Sequence, residues 1–338
     1  MSNSNIFKIK PHVMHYNWGK VASGLAFELS PTQDRSRPTA ELWYGAHPKG
    51  PATIVNQDSE AALTCELPYL FKILSVAQAL SVQTHPTKKL ARILHYSNPV
   101  EYPDDREKVE LAVALTPVRL LAGFISRAEL DRRLQETPEL DKLLSARSNG
   151  ANVADLFSEL LKTGSEQINR YAQFFLKEWD LTPGEAIVIE PGLVHAYLSG
   201  DLVELITNSD NVIRLGLTEK FIDVPAYEKL RSELQSEVRP AILKGQAISS
   251  NDDSISALKY DSIRAGLSLR IYKGTGLLTL NASSRDLLVI LEGSANLENL
   301  ELKPGDGCLM NPVLGNPQSS VAKIHLHNAT VFHSTADR

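Results

Sequence analysis

Cysteine is scarce. Cys65 and Cys308 are the only two in 338 residues, and they lie too far apart to form a metal-binding or redox spacing. A reducing cytoplasm fits such a chain, and a cytoplasmic location is the expectation. Long apolar runs are also missing: none approaches the roughly 20 residues that a membrane helix needs. The first residues, MSNSNIFKIKPHVMHYNWGK, carry neither a long apolar core nor a small-residue cleavage site. The expectation is therefore a soluble protein with no membrane partner. Positive charge is not in excess, since 35 Lys and Arg stand against 40 Asp and Glu, for a formal net charge of -5. A general nucleic-acid binder would carry a basic face, so nucleic acid is not the expected partner. An anionic ligand stays open only if cations are concentrated locally. No Gly-rich phosphate loop of the Walker or dinucleotide type occurs.

What is present is an ordinary globular composition, 43% hydrophobic and 22% charged. The length suits two or three domains, or one large β-rich body with an insertion. Residues 1–125 read as short β-segments punctuated by turns such as HPKGPA and SNPVEYPDD. In VELAVALTPVRLLAGF, two apolar runs flank Thr116-Pro117, which predicts paired buried strands around a turn. Over residues 126–179 apolar residues recur at three and four with charges between them, predicting an all-helical insertion interrupted near Gly150. β-texture returns over 180–235, with a helix in VPAYEKLRSEL, and continues over 236–338.

One internal correspondence organises the second half. LTPGEAIVIEP (181–191) and LKPGDGCLMNP (302–312) share a Leu-x-Pro-Gly-acid turn, a short apolar run and a closing proline at the same spacing. A Pro-Gly-acid turn feeding a buried strand recurs in double-stranded β-helix barrels of the cupin type. Two copies in register predict a mainly β chain with two cupin-like jelly-roll barrels and the helical segment inserted. In this register His195 falls opposite Asn316, so a metal bound by His195 would have lost that ligand in the C-terminal barrel.

In SVQTHPTKK (81–89), Gln83 and His85 are two residues apart and share one face of a strand. Alone, such a histidine is more often a hydrogen-bonded core residue than a ligand, and Glu110 in REKVELAVAL reads equally as a surface charge at a strand end. His195 follows the tight turn in EPGLVHAYLSG, where loops present functional groups. Two histidines and a glutamate form a known open-site zinc set, to which Gln83 would be an unusual addition. TNSDNVIRLGLTEKF (207–221) concentrates Asp210, Arg214 and Lys220 around an apolar run. A solvated hairpin is one reading; a functional site is the other, because charged groups are seldom buried unless paired or functional. His325 and His327 share a strand face with no carboxylates nearby in sequence. Trp18 and Trp43 suit either a core or sugar stacking.

AELWYGAHPKGPA, LPYLFKILSVAQALSVQTHPTKKLA and PGLVHAYLSGDLVELITNSDNVIRLGLTEKFIDV resemble the type I phosphomannose isomerases. The likeness runs from about Pro11 to Val224 and is weaker beyond. It implies a pair of cupin-like barrels with an inserted helical domain, and one zinc ion per chain held by Gln83, His85, Glu110 and His195. It implies a catalytic Arg214, with Lys72, Ser81, Lys108, Glu204, Asp210 and Lys220 around a sugar phosphate and Trp18 a further substrate contact. The implied reaction interconverts mannose 6-phosphate and fructose 6-phosphate through an enediol, with Glu204 or Asp210 as candidate base; the alternatives are an isomerase of a different phosphosugar and a non-catalytic sugar-phosphate-binding cupin. The substrate is a small phosphosugar and the expected state a monomer. One departure stands out: the family block Asn-His-Lys-Pro-Glu reads REKVE (106–110), with Glu107 in place of histidine and Val109 in place of proline.

Overall fold

Every one of the eight residues of the strand Tyr69–Val76 is buried, so this strand is covered on both faces. The computed structural model describes residues 6–55, 59–65, 67–144, 150–282, 285–310 and 320–336. Among them, eleven strands form one antiparallel sheet, with Tyr69–Val76 beside the long strand His195–Thr207. The chain is mainly β, in antiparallel sheets.

The long strand is the hub. Its distal half pairs with Tyr69–Val76 on one side and Glu110–Ala114 on the other, and its proximal half pairs with Val118–Phe124. The runs that flank Thr116-Pro117 therefore do not pair with each other as expected. They lie end to end along one shared neighbour. The long strand turns at Gly200 (φ 116°), where a Cβ would come within 2.6 Å of the Pro117 carbonyl. Thr116 completes the corner, its hydroxyl accepting from Asp201 N–H at 2.8 Å. Two apolar runs around a proline do not reveal whether their partner is each other or a third strand; the glycine eighty residues on settles it.

The two Pro-Gly-acid turns have the same geometry. Gly184 (φ 88°) and Gly305 (φ 86°) occupy the left-handed position that follows proline in a type II turn. Glu185 accepts from Thr182 N–H at 2.9 Å, and Asp306 from Lys303 N–H at 2.8 Å. Each turn leads into a strand, Glu185–Ile189 or Gly307–Met310. Asn316, the expected counterpart of His195, lies outside the described residues.

Gly307–Met310 belongs to a second antiparallel sheet of ten strands. The N-terminal strand Ile6–Lys10 pairs with it and with Thr53–Val55, while Ala241–Lys244 pairs back onto Glu185–Ile189. The sheets thus exchange strands, and neither is confined to one stretch of sequence. A shared core joins them. Phe71 and Phe332 rings sit 5.8 Å apart, and the buried Tyr69 hydroxyl donates to the carbonyl of Arg285 or Ser334.

Between the strands Val118–Phe124 and Leu176–Leu181, helices occupy Arg127–Glu136, Pro138–Leu143, Val153–Leu160, Ser165–Tyr171 and Ala172–Phe175. Ser126 caps the first by accepting from Glu129 N–H, and Asn152 with Asp155 forms a reciprocal capping box. Their apolar faces (Leu130, Leu156, Phe157, Phe175) pack on Leu121, Val194, Ala196 and Ile213. The helices thus support the strands that carry Gln83, His195 and Arg214. No helix among the described residues is long and apolar enough to cross a membrane.

Candidate active site

Three short pieces of backbone meet at one point. Gln83, in the strand Val82–Thr84, is the register partner of both His195 and Arg214. Glu110 opens the strand Glu110–Ala114, which pairs with the far half of the hub. His85, Glu110 and His195 are all buried, and one donor atom from each lies within 4.8 Å of the others. The histidine orientations are fixed from behind. His85 Nδ1 is 3.0 Å from the Asn211 carbonyl and His195 Nδ1 2.9 Å from the Leu193 carbonyl. Each Nδ1 therefore carries the proton and donates it, leaving both Nε2 lone pairs facing inward.

These lone pairs meet a carboxylate. His85 Nε2 is 3.0 Å from Glu110 Oε1, and His195 Nε2 is 3.7 Å from Oε2. Burial pulls both imidazoles below their ordinary pKa, His195 to about 4. Two neutral nitrogen acceptors turned towards one carboxylate make a donor set that a cation can satisfy. The set fits a divalent metal with an open position, and zinc takes this donor mixture. Gln83 flanks it, with its amide 3.5 Å from His195 Nε2 and accepting from Ser81 Oγ at 2.8 Å.

Beside the three ligands lies a buried charge network. Lys108 Nζ pairs with Glu110 Oε1 at 2.7 Å. Lys72 Nζ is 3.6 Å from both Glu41 and Glu204 and 4.9 Å from the centroid of the Trp43 ring. Burial alone would lower the Lys72 ammonium, but Glu41, Glu204 and Glu110 together hold it above the ordinary lysine value. Burial, then the Glu110 charge, raises the Glu204 carboxyl to about 7. The Tyr197 hydroxyl stands 3.2 Å from Glu204 Oε1 and 3.5 Å from Glu110 Oε2, bridging network and metal ligands.

The remaining expected residues are less buried. Asp210 is engaged by Lys49 at 2.7 Å and by His47 at 3.3 Å. Burial pushes its carboxyl up, yet these two partners hold it well below the usual range. Arg214 is half-buried, and Lys220 is exposed, its Nζ 5.9 Å from the Tyr16 ring centroid. Tyr16 stacks on Trp18, with ring centroids 5.7 Å apart. Lys88 and Lys89 open a surface helix whose N-cap is Thr87, away from any role in the centre. His325 and His327 are exposed on their strand and join no metal cluster among the described residues.

The REKVE departure is accommodated locally. Val109 N–H donates to Thr207 Oγ1 at 2.9 Å, and that hydroxyl donates to the Glu107 carbonyl at 3.0 Å. A proline at 109 would have no such hydrogen to give. Glu107 pairs at 3.0 Å with Arg264, in the turn between the strands Ile255–Ser262 and Leu267–Ala282 of the second sheet.

Comparison with known proteins bears on this centre. A model of the phosphomannose isomerase type I catalytic domain matches residues 6–127. The mannose-6-phosphate isomerase of Rattus norvegicus is 34% identical over 305 residues, covering 66% of this chain and 72% of the rat protein. The chain belongs to the type I phosphomannose isomerase family. The human mannose-6-phosphate isomerase is 33% identical over 313 residues, covering 69% of this chain and 74% of its own. The fold extends further than the sequence likeness. A mannose 6-phosphate isomerase from Salmonella typhimurium, solved bound to substrate fructose 6-phosphate and zinc, superposes with a TM-score of 0.78. That likeness covers 99% of this chain and 100% of the other at 24% identity.

For a type I phosphomannose isomerase, sequence reasoning passed over Glu41, His47, Lys49 and Tyr197. Two of these carried a signal. Tyr197 is two residues beyond His195 on a strand, so it shares that face. Glu41 is an acid inside the apolar run AELWYG, the pattern that drew attention to Arg214. His47 and Lys49 follow Gly45 in a loop, and only the fold brings them to Asp210.

Proposed function

We propose that this chain is a zinc-dependent mannose-6-phosphate isomerase that interconverts mannose 6-phosphate and fructose 6-phosphate. The observation that carries the reading is the inward convergence of His85, Glu110 and His195 in a member of this family. One zinc ion per chain is proposed, held by these three side chains with Gln83 as a further donor once its amide turns Oε1 inward. Bound there, the ion supplies Lewis-acid polarisation of the sugar's reacting oxygens.

The chain's own residues supply the rest. Glu204 is the proposed base for the proton that moves between C1 and C2, because it is buried beside the ligands and its carboxyl is raised toward neutrality. Asp210, paired with His47 and Lys49, is a weak base by comparison. It serves to hold those two side chains. Lys72 and Lys108 are committed to carboxylates in the interior, so they organise the floor of the site. Arg214, half-buried beside Gln83, is the proposed catalytic cation. The phosphate is assigned to Lys220, with Ser81 and Trp18 as further substrate contacts; local cations thus serve a chain of net negative charge. We further assign the architecture to two cupin-like barrels with a helical domain inserted after residue 125, ending before the strand Leu176–Leu181 rather than at residue 179, acting as a cytoplasmic monomer with no nucleic-acid partner.

The purified protein should turn over mannose 6-phosphate with one zinc per chain and lose turnover on complete chelation. Turnover that survives metal removal would refute the metal role. Arg214→Ala should lower kcat more than about tenfold. A smaller loss in steady-state assays would remove Arg214 from the chemistry.

A further inference from the structure

The loop that carries Lys220 is tethered to the helical segment by one side chain. Asn169 lies on the helix Ser165–Tyr171, and its Nδ2 donates to the Thr218 carbonyl at 3.0 Å. Its Oδ1 accepts from Thr218 N–H at 3.1 Å. A single amide thus satisfies both polar groups of one loop residue, as a neighbouring strand would. The preceding backbone is in costly territory. Leu217 has φ 49°, a left-handed conformation that is strained for a residue with a Cβ. Gly216 has φ 150°, and a Cβ there would come 2.8 Å from the Ala172 Cβ in the helical segment. Such a conformation persists only where its surroundings over-determine it.

Apolar packing does not do this alone. A groove of about 480 Å³ lies between the helical segment and the loop, with Leu161, Ser165 and Asn169 on one side and Thr218, Lys220 and Ile222 on the other. The Asn169 amide spans it. Downstream, Lys220 N–H donates to Thr218 Oγ1 at 3.0 Å, so fixing Thr218 fixes the start of the Lys220 residue. Burial, then the nearby Arg214 and Lys49 charges, lowers the Lys220 ammonium from its ordinary value. Lys220 is therefore held near like charges, which a bound anion would offset.

We propose that Asn169 is a positioning residue, through which the helical segment clamps the Thr218–Lys220 turn and aims Lys220 at the phosphate of the substrate. This rests on the reading of Lys220 as a phosphate contact. The test is a double-mutant cycle of Asn169→Ala and Lys220→Ala, reading kcat, KM for mannose 6-phosphate and inhibition by inorganic phosphate. Asn169→Ala should raise KM and the phosphate inhibition constant about tenfold while kcat stays within about threefold of wild type. In the Lys220→Ala background it should add less than about twofold. Asn169→Asp, which keeps the acceptor for Thr218 N–H and loses the donor, should fall between wild type and Asn169→Ala; it also serves as the working variant if Asn169→Ala does not fold. Full additivity in the double variant would overturn the clamp, as would a lowered Tm with KM unchanged. If Lys220→Ala leaves KM and phosphate inhibition unchanged, the phosphate reading itself falls, and the clamp with it.

Discussion

Glu110→Gln should empty the centre of metal and lower turnover by at least about 10³-fold. A ligand carboxylate does more than its outer-shell partners, whose loss already costs about 10–100-fold in metal affinity or activity. Glutamine keeps the shape but removes the anion that His85 Nε2 and His195 Nε2 approach at 3.0 and 3.7 Å. The Lys108 ammonium, 2.7 Å from Glu110 Oε1, would then lose its direct ion-pair partner. A buried pair broken on one side loses about 3–5 kcal/mol, so stability should fall too. Elemental analysis of metal per chain, beside a denaturant midpoint, separates the two effects. Adding Lys108→Met should recover much of the stability and none of the metal. Stoichiometric zinc in folded Glu110→Gln would overturn the ligand assignment.

Lys72→Ala is the second large expectation, and it concerns the fold as much as the chemistry. Lys72 Nζ is 3.6 Å from both Glu41 and Glu204, and neither side chain has much access to water. Truncation leaves two buried carboxylates with no cation between them, at a cost of about 3–5 kcal/mol, and turnover should fall with it. The sign of the pH dependence follows from Glu204. Its folded pKa already stands at about 7, above the usual carboxyl range, because of burial and the Glu110 charge. Losing Lys72 raises it further. A carboxyl whose folded pKa is raised carries its full penalty above that value, and the penalty shrinks as pH falls through it towards the unfolded value. The stability deficit of Lys72→Ala should therefore narrow on going from about pH 8 to about pH 5.5. Urea midpoints of both proteins across that range would check it. A deficit that widens at low pH would mean that Lys72 acts by packing on Trp43, not by charge.

Much of this centre was legible because a strand alternates. Gln83 and His85 share a face, Tyr197 follows His195 at the same interval, and an acid or arginine inside an apolar run is costly unless paired. The paired Pro-Gly-acid turns were equally legible, because only glycine takes the left-handed position at 184 and 305 without strain. Other features had no local trace. The resemblance placed Lys72 and Lys108 around a sugar phosphate, and only the fold shows that Lys72 lies between Glu41 and Glu204, which are far from it in sequence. The apparent hairpin at Thr116-Pro117 failed for a related reason. Local periodicity states that a run is buried and does not state against what.

By itself the sequence determined the mainly β texture, the helical stretch after residue 125 and the residue types of the metal set, because these follow from short-range periodicity and side-chain chemistry. Only the tertiary structure decided that Ile6–Lys10 completes the second sheet, that the hub strand bends at Gly200 to serve two neighbours, and that Asn169 reaches Thr218. Those choices depend on contacts between residues far apart in the chain, where pairing energy, buried charge and close packing are settled together and no single segment carries the answer.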